Sequence, residues 1–416
     1  MRRTLAMAQS RTPRRPHRPL AAARTAALAA VATLAVALPA HAAPQVDAPG
    51  TDIGTVLGTD SPDALPGSYV VTLRPGVLAR SADGAALVAR YGGTVRHVYT
   101  AALNGYAVRL PAAAARRLAA DPAVATVVQD SVVRATATQH NPPSWGLDRI
   151  DQPALPLDQK YTYPDSAGGG ATVYVVDTGV RISHRDFGGR AVNGYDAVEG
   201  DDVAQDGNGH GTHVASTVAG TAHGVAKKAR VVAVRVLNDQ GSGSISGVIA
   251  GIDWVTRHHS GPSVANLSLG GSPNTALDTA VRNSIKSGVS YAVAAGNSAS
   301  PAQNFSPARV TEALTVGSVD KTDTAARSSN HGSAVDLFAP GVGITGAWHT
   351  GDDATNTLSG SSMATPHVAG AAAVYGALHP TASPAQVAKA VLDGATNGVV
   401  INPGPGTPNK LLRVVS

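Results

Sequence analysis

Five short apolar runs in residues 172–319 constrain the fold more than any other feature of the sequence. They are rich in β-branched residues and cover residues 172–176, 230–237, 264–269, 290–294 and 313–319. Runs of this kind are typical of parallel strands that are buried on both faces. Helix-like segments separate them at residues 213–220, 246–258 and 274–287. This alternation predicts an α/β fold with a mostly parallel sheet and helices on both of its faces.

A smaller unit precedes this region, between residues 68 and 134. Four apolar strands and two helix-like segments follow one another there in the order β-α-β-β-α-β. That order in so short a stretch predicts a ferredoxin-like α+β domain. The polar residues 135–143 separate it from the larger domain, which we expect over residues 140–416.

The first residues predict a secretory signal peptide over 1–42. Residues 1–24 carry seven arginines and no acidic residue, and residues 25–38 form an uncharged apolar run. Residues 39–42 (Pro-Ala-His-Ala) then offer a cleavage site. A membrane anchor is the alternative, but the apolar run is short for a bilayer span. We therefore expect a secreted protein in which residues 43–67 form a linker.

Charge and cysteine content limit the partners and sites that this chain can have. The formal net charge of +5 falls to −2 when the seven arginines of the signal peptide are removed, so it gives no support for a nucleic-acid partner. We also expect a monomer that has no membrane contact after signal removal. The chain contains no cysteine, which excludes a thiol nucleophile, a disulfide and a cysteine-bound metal.

Three segments carry the residue types of nucleophilic catalysis. Asp177 closes the first apolar run, at the end of the strand where an α/β sheet presents functional side chains. His210 stands between two glycines, which leave its imidazole accessible. Ser362 begins an apolar helix, where unpaired N–H groups favour developing negative charge. Taken singly, the aspartate also fits a turn cap and the serine a helix cap.

The pair His210 and His213 could instead bind a metal ion, which is the alternative to nucleophilic catalysis. No glutamate stands between them as in the H-E-x-x-H motif, and a spacing of three with an intervening glycine is poor for zinc. We therefore interpret His213 as a packed structural residue, and a metal hydrolase as the competing hypothesis.

Taken together, the three residues favour a serine hydrolase. A serine hydroxyl is a poor nucleophile until a base takes its proton. Histidine has a suitable pKa for that step, and a carboxylate fixes its tautomer and stabilises the imidazolium. The chain order Asp, His, Ser is one of the known orders of this triad.

The segments around these residues resemble the catalytic signatures of the subtilisin superfamily, most closely its proteinase K branch. They read VVDTGV (175–180), DGNGHGTHVA (206–215) and LSGSSMATPHVAG (358–370), and the likeness covers essentially residues 140–416. The resemblance implies a secreted serine endopeptidase acting on polypeptides. By this resemblance Asp177 orients the His210 ring, His210 is general base and then general acid, and Ser362 attacks the scissile carbonyl. A catalytically inactive peptide-binding homologue is the alternative.

The resemblance also implies an oxyanion hole and a peptide-binding cleft. Asn297, in the segment VAAGN (293–297), matches the side chain that acts beside the Ser362 N–H. Because the first specificity pocket has an uncharged wall, we expect broad specificity with a preference for bulky apolar or aromatic residues. The residues matched to substrate binding are Gly241, Ser242, Gly243, Ser268, Leu269, Gly270 and Phe305.

A structural calcium site is a further implication of the resemblance, whereas catalysis needs no cofactor. Thr311 and Ala313 match two backbone-carbonyl ligands of the proteinase K branch, and Asp336 matches a carboxylate ligand. Oxygen ligands suit calcium. The chain departs from the family at Ser361, where threonine is usual; because a hydroxyl is kept, we expect little loss.

Residues 68–134 resemble the inhibitor-type propeptide of these proteases. This implies a zymogen whose own propeptide serves as intramolecular inhibitor and folding template. We expect the propeptide to extend over residues 68–139, with residues 135–139 lying in the cleft as substrate and then as product, and cleavage near Gln139.

Overall fold

The computed structural model describes residues 53–61, 63–132 and 136–414. The predicted signal peptide and the first part of the predicted linker therefore lie outside the described residues. Within them, no helix combines the length and the apolar character that a membrane span requires.

The N-terminal domain is one five-stranded sheet with two helices. Its elements are β1 (Val56–Leu57), β2 (Ala64–Leu73), α1 (Ala82–Arg90), β3 (Thr94–Tyr99), β4 (Gly105–Arg109), α2 (Ala112–Ala119) and β5 (Val124–Ser131). The strands lie in the order β1-β5-β2-β4-β3. Val71 of β2 is buried together with Leu87 of α1 and Leu118 of α2, so the two helices cover one face of the sheet. The predicted ferredoxin-like order of elements is present.

The structure differs from the sequence prediction at residues 53–67, which were expected to belong to a linker. Val56 and Leu57 pair with β5 in parallel register, and β2 begins at Ala64. A two-residue strand is too short to show an alternating pattern. Pro66 and Gly67 indicate a turn, but they lie within β2 at an irregularity of its pairing.

The C-terminal domain is built on a large nine-stranded sheet and also contains two small sheets, β6 with β7 and β15 with β16. The strands of the domain are β6 (Thr136–His140), β7 (Lys160–Pro164), β8 (Thr172–Asp177), β9 (Ala191–Asp196), β10 (Arg230–Arg235), β11 (Ser263–Leu267), β12 (Val289–Ala294), β13 (Leu314–Val319), β14 (Leu337–Pro340), β15 (Ile344–Ala347), β16 (Thr355–Leu358), β17 (Thr396–Asn397) and β18 (Lys410–Leu411). The large sheet has the order β17-β18-β14-β13-β12-β11-β8-β10-β9. Its neighbouring strands are parallel except β17 and β18.

Helices cover both faces of this sheet. They are α3 (Trp145–Ile150), α4 (His210–Ala219), α5 (Ile245–His258), α6 (Thr275–Ser287), α7 (Ser361–Leu378) and α8 (Pro384–Gly394). Successive residues of β8 point to opposite sides, as the period of a strand requires. Val173 and Val175 pack in the core shared with α4 and α7, whereas Tyr174 and Val176 pack in the core shared with α5 and α6. The predicted α/β fold is confirmed.

Residues 135–139 were predicted to lie in the cleft, and strand β6 contradicts this for residues 136–139, which the structure describes. The strand pairs antiparallel with β7, and Gln139 Nε2 donates to the Ala222 carbonyl at 3.0 Å. Ala222 lies beyond the C-terminal end of α4, whereas His210 starts this ten-residue helix, which is about 15 Å long. Pairing with β7 supplies hydrogen-bond partners for the backbone N–H and C=O groups of this polar segment. The sequence pattern did not predict this pairing.

Candidate active site

The first two predicted catalytic residues meet at the carboxyl edge of the sheet. Asp177 is the last residue of β8, a strand between β10 and β11, and it is fully buried. His210 is the first residue of α4, and 26% of its side chain is exposed. His210 Nδ1 lies 2.7 Å from Asp177 Oδ1, which also accepts the Thr178 N–H at 2.8 Å. This contact leaves His210 Nε2 as the nitrogen that is available for proton transfer.

The charge around His210 favours its protonated form. Burial lowers the pKa of His210, but the charge and hydrogen bond of Asp177 and the charge of Asp206 raise it above its ordinary value. An imidazolium therefore forms more readily when His210 takes up a proton.

Ser362 stands at the N-terminus of α7 and borders the same cleft. It is the second residue of that helix and is only partly buried. Its hydroxyl donates to the Ser268 carbonyl at 3.0 Å, and Ser268 Oγ donates to the Ser362 carbonyl at 2.8 Å. Ser268 also lines the cavity that contains His210. Attack on a substrate requires Ser362 Oγ to turn from that carbonyl towards the imidazole, an adjustment common in unliganded hydrolases.

The residues predicted for the oxyanion hole face one small cavity. Asn297 Oδ1 accepts the Ser361 N–H at 2.8 Å, so its Nδ2 is the end left for a ligand. Ser362 N–H is in the first turn of α7, where no intrahelical acceptor exists. Both residues line a cavity of about 230 Å³. Two N–H donors directed at one point can stabilise a developing oxyanion.

Two polar residues hold the Asn297 loop in place. Ser361 Oγ accepts the Gly296 N–H at 3.1 Å, a contact that requires a hydroxyl at this position. Asn330 is buried, donates to the Ala295 carbonyl at 2.8 Å and accepts the Ser298 N–H at 2.9 Å. Asn330 could not be predicted from the sequence, because it lies more than thirty residues from the loop and in no local motif.

The residues predicted to bind substrate lie on two adjoining cavities. The larger cavity, of about 590 Å³, has residues 241–243 on one side and His210 on another. The smaller one contains Phe305 together with Ser362. Residues 268–271 line both cavities and connect them into one cleft. An extended peptide laid along residues 241–243 and 268–270 would lie in the cleft that His210 and Ser362 line.

His213 takes no part in this arrangement. It is fully buried, and its Nε2 donates to the Ile344 carbonyl at 3.0 Å. Burial lowers the pKa of His213 to about 4, so it is neutral at pH 7. No group of three or more His, Asp or Glu side chains in the described parts of the chain is arranged to hold a metal ion. The prediction that His213 is a packed residue is confirmed.

The residues matched to a calcium site lie at one end of two paired strands. Thr311 and Ala313 precede β13, and Asp336 precedes β14, which is parallel to β13. Asp336 Oδ2 accepts the Thr315 N–H at 2.7 Å. Burial raises the pKa of Asp336 to about 6, against the effects of the Thr315 hydrogen bond and the Lys410 charge. Backbone carbonyls and a carboxylate supply oxygen donors, the kind of ligand that a hard cation such as calcium prefers.

Comparisons with known proteins cover both domains. The subtilase family model (peptidase S8) matches residues 168–411, and the peptidase inhibitor I9 model matches residues 68–136. The chain is 51% identical over 385 residues to the extracellular serine proteinase of Thermus sp. strain Rt41A, covering 88% of this chain and 93% of that protein. It is 43% identical over 381 residues to the subtilisin-like serine protease Pen c 1 of Penicillium citrinum, covering 87% and 94%.

A solved structure gives the same result. The crystal structure of a cold adapted subtilisin-like serine proteinase superposes with a TM-score of 0.64 and 52% sequence identity. It covers 65% of this chain and 98% of the other.

Proposed function

We propose that this chain, which belongs to the subtilase family and is a subtilisin-like serine protease with an inhibitor I9 domain, is a secreted endopeptidase. We further propose that it cleaves after bulky apolar or aromatic residues. The hydrogen bond between Asp177 and His210, at the cleft that Ser362 borders, carries the proposal. The signal peptide predicted over residues 1–42 supports secretion, as does the name of the extracellular Thermus relative.

The proposed reaction is acyl transfer through Ser362. His210 Nε2 takes the hydroxyl proton while Ser362 Oγ bonds to the scissile carbonyl carbon. The carbonyl oxygen becomes an oxyanion that accepts from Ser362 N–H and Asn297 Nδ2. His210 then gives its proton to the leaving amine as the C–N bond breaks. Water, deprotonated by the same imidazole, releases the acyl group and restores the serine.

The lining of the smaller cavity supports the specificity. Its residues are Ser268, Leu269, Gly270, Gly271, Ser272, Ala294, Ala295, Gly296, Asn297, Ser298, Phe305, Ala308, Ser361 and Ser362, none of which is charged. A charged substrate side chain would lose its hydration there without gaining an ionic partner.

Matched peptides that differ only in the residue before the scissile bond test this specificity. We expect kcat/KM for phenylalanine or leucine at that position to exceed that for lysine or aspartate by roughly 100-fold. Equal rates for all four peptides would contradict the proposed specificity, whereas hydrolysis of none of them would contradict the proposed activity.

We also propose that the protein matures by its own cleavage between the two domains. Residues 136–140 are paired with β7, so they must leave this strand for the cleft before they can be cut. The precursor of the Ser362→Ala variant is expected to stay intact in a host that lacks other proteases, with the wild-type chain processed in parallel. Normal processing of the variant would show that another enzyme makes the cut.

Structural calcium at the carbonyls of Thr311 and Ala313 and the carboxylate of Asp336 completes the proposal. Their oxygen donors, at the same end of the two paired strands β13 and β14, support it. A chelator should lower the unfolding temperature of the wild type but not that of Asp336→Asn. An equal decrease in both proteins would place the ion elsewhere.

A further inference from the structure

A second aspartate organises the loop that presents His210. Asp206 is 3% exposed, and its two carboxylate oxygens accept five hydrogen bonds. Oδ1 accepts from the backbone N–H groups of Asn208 and Gly209, at 2.9 and 2.8 Å. Oδ2 accepts from the N–H and the hydroxyl of Thr212, at 2.9 and 2.5 Å. The carboxylate therefore holds the chain on both sides of His210.

The same carboxylate reaches the strand that carries the catalytic aspartate. Thr178 Oγ1 donates to Asp206 Oδ1 at 2.9 Å and accepts the Gly211 N–H at 2.9 Å. Thr178 directly follows Asp177 in the chain. Through this hydroxyl, Asp206 connects the end of β8 with the first turn of α4, so the two sides of the Asp177–His210 contact share one support.

Asp206 is buried without a cationic partner. In the parts of the chain that the structure describes, no lysine or arginine forms an ion pair with it, whereas the buried Asp323 pairs with Arg149 at 2.7 Å. Five donors compensate the lost hydration, but they leave the full negative charge in place. That charge acts on His210, whose pKa it raises.

Other ionisable groups lie around His210 and the loop that precedes it. Asp177 lies on β8, His213 is one turn along α4 and is neutral at pH 7, and His349 borders Gly209 from the loop after β15. Asp239 borders Gly207 and is paired with Arg235 at 3.0 Å. Asp177 and Asp206 are thus the two buried carboxylates whose charge favours the imidazolium.

We propose that Asp206 is a positioning residue for the reaction. Its buried carboxylate holds Asp177 and His210 in the geometry of their hydrogen bond, and it stabilises the positive charge that His210 acquires in each proton transfer. The inference rests on the proposed acyl-transfer mechanism. It separates two contributions, because the hydrogen bonds set the geometry of the imidazole and the charge sets its basicity.

The Asp206→Asn variant tests both contributions through the pH profile of kcat and kcat/KM on one peptide substrate. Because an amide keeps the shape but not the charge, the acid limb of kcat/KM should move to lower pH. The plateau of kcat should fall by roughly 10- to 100-fold because the imidazole is less well held. KM should change little, since Asp206 is not among the residues that line the cleft.

Two further variants keep the test decisive. Asp186→Asn is the matched control, because Asp186 is also a buried aspartate bonded to a histidine, His223, at 3.0 Å. It should leave the acid limb unmoved and kcat within about twofold of the wild type. Thr178→Val removes one donor and retains the Asp206 charge, so kcat should fall while the acid limb stays in place.

A titration measures the basicity of His210 without turnover. Histidine ring signals of the Ser362→Ala precursor can be followed by NMR against pH, with the His210 signal identified by its loss in a His210→Gln variant. Adding Asp206→Asn should shift that titration to lower pH. The proposal is overturned if the His210 titration and the acid limb are unchanged, or if Thr178→Val has wild-type kcat.

Discussion

An aspartate–histidine pair lies at each end of helix α4, and the two pairs have different surroundings. At the N-terminal end His210 Nδ1 is 2.7 Å from Asp177 Oδ1. Just beyond the C-terminal end His223 Nδ1 is 3.0 Å from Asp186 Oδ2. In both pairs the carboxylate is at least 90% buried. The pair geometry alone does not distinguish a catalytic site from a structural one.

The second pair belongs to an enclosed polar cluster. Asp186 Oδ1 accepts the Ala222 N–H at 2.7 Å, and Lys227 Nζ donates to the carbonyls of Thr221 and Ala222 at 3.3 Å each. Burial lowers the pKa of Lys227 to about 8, although the charge of Asp186 acts in the opposite direction. This cluster joins the end of α4 to the loop on which Gln139 of β6 docks.

The difference between the two ends shows what converts such a pair into catalytic groups. His210 is exposed to a cleft, and a serine at a helix N-terminus and an amide donor border the same cleft. His223 is only 8% exposed. For catalysis, an imidazole that is exposed to the cleft and a neighbouring nucleophile matter more than the carboxylate contact that both histidines share.

Replacement of each histidine by alanine gives the largest expected contrast. His210→Ala should lower kcat by about 10⁶-fold, because the members of a triad act as a unit. His223→Ala should keep kcat within a few-fold and lower the free energy of unfolding by about 1 to 3 kcal/mol, since buried polar groups lose a partner. Kinetic assays and urea unfolding of both variants provide the comparison. A large loss of activity in folded His223→Ala would contradict the structural assignment.

Replacing Asn297, the proposed oxyanion donor, tests whether the groups around His210 act on the transition state. Asn297→Ala should lower kcat by about 10²- to 10³-fold with little change in KM, because Nδ2 acts on a charge that appears in the transition state. Steady-state kinetics measure the effect, with Gln240→Ala as a comparison that alters a side chain elsewhere in the cleft. A rise in KM at constant kcat would instead assign Asn297 to ground-state binding.

The smallest expected effect is the acid sensitivity of the structural pair. Burial raises the pKa of Asp186, but the bonds from His223 and Ala222 outweigh it and the net pKa lies below its ordinary value. Its contribution to stability is therefore present above the ordinary aspartate pKa and is lost as the pH falls through the lower folded-state pKa.

Asp186→Asn should accordingly be less stable than the wild type at pH 7, and the difference should shrink below about pH 4. Unfolding by urea across this pH range measures it. A difference that grew as the pH fell would mean that Asp186 is protonated more readily in the folded protein, opposite to the direction that the contacts indicate.

Much of the fold was predictable from local patterns. The five apolar runs became β8, β10, β11, β12 and β13, with boundaries that differ by at most two residues. Strands buried on both faces are apolar at every position, so the pattern is visible without knowledge of their partners. The strands β9 and β14 of the same sheet were not predicted, nor were β1, β17 and β18, whose two residues carry no periodicity.

The candidate site divides in the same way. Asp177, His210 and Ser362 lie in segments whose residue types suggest their chemistry, whereas the role of Asn297 was predicted only from the resemblance of its segment to the family. The contacts that support these residues do not lie in such segments: Asn330 holds the Asn297 loop from more than thirty positions away, and Ser268 meets Ser362 across 94 positions. Asp206 was visible in the histidine segment, but its link to Thr178 depends on folding.

The amino-acid order was thus sufficient for five adjoining strands of the sheet, for the helices between them and for the identity of the triad residues, because these depend on periodicity and on short motifs. Folding was needed to bring Asp177 into contact with His210, to pair Asp186 with His223 and to place residues 136–140 on β7 instead of in the cleft. These outcomes depend on burial and on hydrogen bonds between residues distant in the chain. Such interactions become defined only when the packed protein excludes water and brings its strands together.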